Sequence, residues 1–233
     1  MYIATSQPTY LPWPGYFGLM QMCKKFIILD DIQFSRRSWQ QRNIIKTANG
    51  SSYLSLSIKN KGLRNQKINE TLLSYPEKDF KKHKTAIIQN YRNTDFFEKY
   101  KGPILNKFNQ TSINLFEINF SFILTIKELL QIDTELILSS SLNKRGTKED
   151  LIYSLLDNFN INKCIINPGS QNYMKKNNSK YEIYRFNYNC SNRYKQAYDG
   201  FDPYVSIIDM LFNIGSKNAK DHLKKCSKLE KIK

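Results

Sequence analysis

Residues 2–31 read YIATSQPTYLPWPGYFGLMQMCKKFIILDD, and this stretch decides the fold class. Tyr2–Ser6 reads as a buried strand, and 7–14 as a loop stiffened by Pro8, Pro12 and Pro14. Residues 15–25 have helical spacing, with Phe17, Met20 and Cys23 available for one face. Residues 26–29 form a short apolar run closed by Asp30 and Asp31, the pattern of a second strand in a parallel sheet. The unit is strand–loop–helix–strand, with polar residues crowded at both strand ends. In open α/β sheets, ligands bind in such carboxyl-end loops.

Working outward, strand and helix signals keep alternating. Residues 53–58 alternate as a strand after a turn at Asn49-Gly50, and 77–100 read as a helix broken near 93–95. Residues 104–130 hold one or two further helices with Phe116, Phe120, Ile123, Ile126, Leu129 and Leu130 as core candidates. Glu135–Leu138 is a strand running into Ser139-Ser140-Ser141, and Thr147 is an N-cap for a helix to Phe159. Lys163–Ile166 and 181–186 are further strands, and 203–212 is a short helix stopped near Gly215. The expectation is an α/β fold with a mainly parallel sheet flanked by helices. It places one domain over 1–215, with a helical insertion at about 77–131, and a basic tail over 216–233 that is a solvated helix or frayed end.

The chain has 233 residues, 40% of them hydrophobic and 24% charged, which excludes a wholly disordered or collagen-like protein. With 36 Lys+Arg against 20 Asp+Glu the net charge is +16, pointing to anionic partners; the lysine, asparagine and isoleucine bias of an AT-rich genome explains the excess equally well. Cys23, Cys164, Cys190 and Cys226 lie far apart without a CxxC pair, and only His83 and His222 could join them, so no metal site is expected. The early prolines interrupt any signal-peptide core, and no apolar run approaches the roughly 20 residues of a bilayer span. These features predict a cytoplasmic protein with reduced thiols and no stable membrane insertion, working near the inner face of the membrane if its basic tail attaches there.

Two segments concentrate side chains suited to chemistry. In the first, residues 7–17, Gln7, Tyr10, Trp13, Gly15 and Tyr16 combine aromatic faces, polar tips and a glycine at a helix N-terminus, an arrangement suited to an anionic ligand. The competing reading is that the aromatics staple the loop to the core. In the second, the paired carboxylates Asp30 and Asp31 are followed by Gln33, Arg36, Arg37, Ser38, Trp39, Arg42, Asn43 and Lys46. Carboxylates at a strand end can hold a cation, orient an amine or act as a base, while arginine forks grip phosphate and Trp39 offers a stacking face. An ion-pair network bracing a loop would use the same residues. His83, among Lys81, Lys82 and Lys84, should favour its neutral form, as a general base requires; the competing reading is a packing or surface histidine on a helix, the commoner case. Ser141, Gln196, Ser206, Asp209 and Asn213 complete the candidates; Asp209 and Asn213, four apart, share a helix face.

The motifs Gln7-Pro-Thr-Tyr-Leu-Pro-Trp-Pro-Gly-Tyr-Phe17 and Asp30-Asp-Ile-Gln-Phe-Ser-Arg-Arg-Ser-Trp-Gln-Gln-Arg-Asn43 closely resemble those of the WbqC-like family. The Lys82-His83-Lys84-Thr85 segment, with Tyr91 and Phe97, and the run from Phe201 to Gly215 resemble it too, so the likeness extends over about 1–215. Ile44 stands where the family usually has a basic residue, and Asn192-Arg193 where a His-Pro pair is common. The family is associated with gene clusters for bacterial surface polysaccharides, including O-antigens with N-acylated amino sugars. The resemblance therefore implies an enzyme, a transferase acylating the amine of a nucleotide-linked amino sugar with an acyl or aminoacyl donor.

Under that reading Arg36, Arg37, Arg42 and Lys46 hold the pyrophosphate, and Tyr10, Trp13 or Trp39 stack on base or sugar. Asp30 or Asp31 orients the amine, His83 takes its proton, and N–H groups after Gly15 stabilise the oxyanion. The strand–loop–helix–strand order is also similar to nucleotidyltransferase-like folds that include pantothenate synthetase, which gives a second expectation, an ATP- and magnesium-dependent nucleotidyltransferase or carboxylate–amine ligase. The chain has Pro14-Gly15-Tyr16 where those folds carry a His-containing motif. An RNA-binding module, with a charged tRNA as donor, and a non-catalytic scaffold are the remaining readings.

Overall fold

A computed structural model describes residues 1–174 and 180–232. In chain order the elements are β1 (Tyr2–Ser6), α1 (Pro14–Gln21), β2 (Lys25–Ile28), β3 (Arg42–Thr47), β4 (Gly50–Ser55), α2 (Pro76–Tyr91), α3 (Phe97–Leu105), α4 (Leu115–Leu129), β5 (Glu135–Leu138), α5 (Lys148–Leu156), β6 (Lys163–Ile166), β7 (Glu182–Tyr188), α6 (Ile207–Cys226) and β8 (Ser227–Lys231). Six strands form one sheet in the order β5-β2-β1-β6-β7-β8, and β3 and β4 form a separate hairpin. All neighbours in the sheet are parallel except β7 and β8.

The central strands are short and nearly all apolar because both of their faces are covered. Ile3, Ile27, Cys164, Ile166 and Ile183 point to one side and pack with Ile152, Leu155 and Leu156 of α5. Ala4, Phe26, Ile28, Ile165 and Phe186 point to the other, into a larger core with Phe17 and Met20 of α1 and Leu211 and Phe212 of α6. Helix α1 lies within the larger core, against α6, with every residue from Pro14 to Met20 buried. The α/β architecture with a mainly parallel sheet is the one expected from the sequence.

Two differences stand out at the sequence level. The expected basic tail beyond Ser216 is structured: α6 continues through a break at Gly215 (φ 75°) and buries Ala219, Leu223 and Cys226. β8 then pairs along β7, with Glu230 bound to Arg185 and Lys231 to Glu182. Its lysines and glutamate face solvent, as suits a strand at a sheet edge. The second difference is β3: the sequence predicts a charged ligand-binding or loop-bracing segment over these residues, and they form a strand. They pair with β4 through a turn in which Gly50 adopts φ 98°. Among the described residues no helix is long and apolar enough to cross a membrane.

Candidate functional site

The strand order reverses between β1 and β6, and in doubly wound sheets the crevice outside the carboxyl ends of such strands takes the ligand. Here that edge is polar. Asn167, directly after β6, lies with its side-chain nitrogen 3.4 Å from the Thr5 carbonyl and 3.5 Å from the Ser6 hydroxyl. Gln7 is exposed, and its carbonyl oxygen accepts from Gln40 Nε2 at 2.7 Å, while Gln40 Oε1 accepts from the Ser35 N–H at 2.8 Å. The 33–41 loop is thus tied to the end of β1.

The carboxyl ends of β2 and β5 meet through the paired aspartates. Asp30 is buried and accepts from the Ser140 N–H at 2.9 Å and lies 3.0 Å from the Ser139 hydroxyl. Asp31 is half-buried, accepts from Ser139 Oγ at 2.6 Å and forms an ion pair with Lys144, which also donates to the Ser139 carbonyl at 2.6 Å. Partial burial pushes the Asp31 carboxyl up, but the Lys144 and Ser139 contacts outweigh it and hold the group below its usual range. Asp31 is therefore an ionised acceptor whose two oxygens meet Ser139 and Lys144 and whose side chain is 12% exposed, whereas Asp30 is a bracing residue. The bracing partners are Lys144 and Ser139 rather than the arginines that follow in sequence.

Beside this edge the chain from Ile32 to Phe34 runs along 66–68, with Ile68 N–H donating to the Ile32 carbonyl and Phe34 N–H to the Gln66 carbonyl. Gln33 Nε2 donates to the Arg64 carbonyl at 3.1 Å, and Arg36 Nη2 to the Asn60 carbonyl at 2.8 Å. These contacts shape an open cleft of about 880 Å³ whose lining includes Arg36, Lys61, Arg64, Asn65 and Glu70. Three cations face one acid, and Glu70 Oε2 already accepts from the Lys67 N–H. Lys61, Arg64 and Lys144 were not singled out from the sequence; the first two lie in a loop without apolar periodicity, legible only once 60–66 is folded against 33–36.

The four-cation cradle expected from Arg36, Arg37, Arg42 and Lys46 is not assembled. Arg36 lines the cleft and Arg37 is exposed with φ 56°, but Arg42 lies 4.6 Å over the Tyr53 ring on the hairpin. Lys46 is buried and its ammonium donates to the Gly200 carbonyl at 3.0 Å. Arg42 and Lys46 share a face of β3 but lie four extended residues apart, about 13 Å along the strand, too far to grip one diphosphate together. Trp39 does reach solvent, 47% exposed, and stacks on Tyr53 with ring centroids 6.3 Å apart.

In the first motif the stapling reading prevails. Tyr10 and Tyr16 are buried, and Trp13 packs edge-on against Tyr188. The open side of Gly15 is filled by the Trp13 indole, 2.3 Å from where a Cβ would sit, so no ligand approaches there. Asn43 donates to the Tyr10 and Leu11 carbonyls at 3.1 and 2.6 Å, pinning Leu11 at φ 42°. Ser38 donates to the Ser35 carbonyl, and Ser141 to the Leu138 carbonyl, closing local turns.

His83 is 1% exposed and cannot touch a substrate in this structure. Its Nδ1 is 2.8 Å from the Tyr10 hydroxyl, and Asp79, one turn earlier, accepts from the Ser57 N–H at 2.6 Å. Burial lowers its pKa from 6.5 to about 4 against the opposing charge of Asp79; Lys82 adds to the lowering. The neutral form expected from the flanking lysines is present, chiefly through burial.

A second buried network joins the remaining candidates. Asp209, fully buried in the first turn of α6, accepts from Tyr91 at 2.9 Å and Tyr194 at 2.8 Å. Tyr91 also accepts from the Lys46 N–H, and Gln196 Nε2 donates to Tyr194 and to the Asp202 carbonyl. Asn213 Nδ2 donates to the Asp209 carbonyl, and Ser206 is the α6 N-cap, so both stabilise the helix. Burial raises the Asp209 carboxyl from 3.8 to about 6, against the Tyr194 and Tyr91 hydrogen bonds and the Lys46 charge.

The two displaced groups act on stability in opposite directions. A neutral His83 favours folding above pH 6.5, and that advantage is lost as pH falls toward 4. The raised Asp209 carboxyl gives stability that is present below pH 3.8 and lost as pH rises through about 6. Between pH 7 and pH 5, wild type should therefore lose about 2 kcal/mol relative to a His83→Gln variant, read from urea unfolding at each pH. A difference between the two proteins that does not change with pH contradicts this assignment.

The fold is a doubly wound, mainly parallel α/β sheet with a polar carboxyl edge and an open, cation-lined cleft beside it. The model for the WbqC-like protein family matches residues 7–221, and the chain belongs to that family. It is similar to a protein of Mycobacterium tuberculosis (strain ATCC 25618 / H37Rv) described as "Uncharacterized protein Rv1507c", with 31% identity over 230 residues, 96% of this chain and 98% of the other. No solved structure matches the chain.

Proposed function

We propose that the protein is a transferase that holds a nucleotide-linked amino sugar by its diphosphate and acylates the sugar amine. The observation that carries this reading is the cleft in which Arg36, Lys61 and Arg64 converge beside the carboxyl edge of the sheet. Guanidinium and ammonium donors match diphosphate oxygens in charge and geometry. Trp39, exposed, stacked on Tyr53 and tied by its carbonyl to the Tyr10 N–H in the loop after β1, supports the reading as a stacking surface for the base. The choice of an amino sugar and of acyl transfer rests on the motif resemblance and its polysaccharide context.

In this scheme ionised Asp31 accepts an N–H of the attacking amine and orients its lone pair. The nitrogen–acyl carbon bond forms as the bond to the donor's leaving group breaks, and the amine's proton ends on the leaving group. His83, enclosed with Tyr10, positions the loop after β1 and does not take the proton. Incubation of the pure protein with a UDP-linked amino sugar and an acyl thioester should yield an amide detectable by mass spectrometry. Asp31→Asn should lower kcat by about a hundredfold with little change in KM for the nucleotide-sugar. Absence of amide with thioester, aminoacyl-tRNA or carboxylate plus ATP, while the nucleotide-sugar still binds, removes acyl transfer and keeps the binding assignment.

The sheet order favours a second reading, an ATP-dependent nucleotidyltransferase or ligase, since nucleotide-activating enzymes use parallel sheets with this reversal. Magnesium-dependent release of pyrophosphate from ATP is its distinguishing product.

A further inference from the structure

A second recess lies between the turn that joins α2 to α3 and the segment 195–198, with a volume of about 280 Å³ and no lining residue in common with the cationic cleft. We infer that it is a ligand site for a neutral, hydroxyl-rich molecule of the size of a sugar ring. Its walls include five carboxamides: Gln89, Asn90, Asn93, Gln196 and Asn213. A carboxamide offers donor and acceptor side by side, which matches sugar hydroxyls that donate and accept in turn.

Several of these carboxamides are already oriented. Asn90 Nδ2 donates to the Ala86 carbonyl and Asn213 Nδ2 to the Asp209 carbonyl, committing the donor end of each amide and leaving its carbonyl oxygen. Gln196 is fixed at both ends by Tyr194 and Asp202 and forms a rigid wall. No side-chain hydrogen bond among the described residues engages Gln89, Asn93 or Tyr198, so these three keep their full capacity for a ligand. The charge lining the recess cancels locally, because Lys195 pairs with Asp95 at 3.3 Å. Behind Gln196 and Asn213 the buried Asp209 carboxylate is bonded by two phenols. Nothing here matches an anion as the cationic cleft does.

The floor is rigid for a reason independent of any ligand: Tyr91, Asp209 and Tyr194 tie α2, α6 and the 194–202 segment together, and Phe96 N–H donates to the Phe212 carbonyl. A preformed recess with fixed acceptors limits the ordering cost of binding. The assignment does not depend on nucleotide binding, and the test omits nucleotides. The ¹⁵N-labelled full chain is titrated with glucose, N-acetylglucosamine and, separately, inorganic phosphate while side-chain NH₂ signals are followed. Gln89→Ala and Asn93→Ala, both at exposed positions, assign their signals by loss. A sugar is expected to shift the Asn93 and Gln89 signals saturably, and the double variant to bind about tenfold more weakly. The inference is overturned if neither sugar moves these signals, if phosphate moves them and the sugars do not, or if affinity survives the double substitution.

Discussion

Asp209→Ala is expected to lower the unfolding free energy by about 3–5 kcal/mol, the largest effect of any single substitution considered for this protein. The carboxylate is fully buried and is the shared acceptor of Tyr91 and Tyr194, two phenols that reach it from different elements. Removing it strands both hydroxyls and opens a hole under α6. Asp209→Asn keeps one carbonyl acceptor and should lose about half as much. Urea unfolding distinguishes the outcomes: a loss below about 1 kcal/mol for Asp209→Ala would mean that the network is not holding the helices together.

The second large effect concerns binding. Lys61→Ala combined with Arg64→Ala should weaken nucleoside diphosphate binding by about a hundredfold, at about 1.5 kcal/mol for each charge-assisted contact. Both residues are exposed, so folding should be unchanged. Lys24→Ala, a charge removed near the amino end of β2 at the opposite edge of the sheet, should leave affinity within twofold at fixed ionic strength. Equal weakening by all three substitutions would mean that the diphosphate is attracted only by the chain's general positive charge.

The contrast between these residues shows what the sequence made legible. β1 and β6 fall within the expected limits because a central strand covered on both faces is largely apolar, and that run is visible without knowing its neighbours; β5, a half-buried edge strand, is marked by its short run Leu136-Ile137-Leu138. β3 was hidden because Arg42, Asn43 and Lys46 look like a ligand loop; only Ile44 and Ile45, followed by Asn49-Gly50, betray a hairpin. β8 was hidden by its lysines, which mark an edge strand as readily as a tail. At the site, Asp31, Gln7, Arg36 and Trp39 lie at the carboxyl edge or beside it, as the strand-end logic required. Lys61, Arg64, Lys144 and Asn167 reach the same region by folding from distant positions, and no spacing rule connects them.

His83 illustrates the opposite problem. A histidine among lysines reads as a poised base, yet its helix turns it inward, where Tyr10 meets it, while Lys81 and Lys82 remain exposed. Helical periodicity, applied to Phe80, His83 and Ile87 at spacings of three and four, was the signal that placed it in the core.

The central claim is that the cleft of Arg36, Lys61 and Arg64 takes the diphosphate of a nucleotide-linked substrate. Calorimetric titration of the unmodified chain with UDP and, in parallel, with uridine tests it most directly. The account predicts saturable 1:1 binding of UDP that weakens as salt is raised and exceeds uridine affinity by at least about tenfold. UDP binding no tighter than that of uridine, or no binding of either, would contradict it.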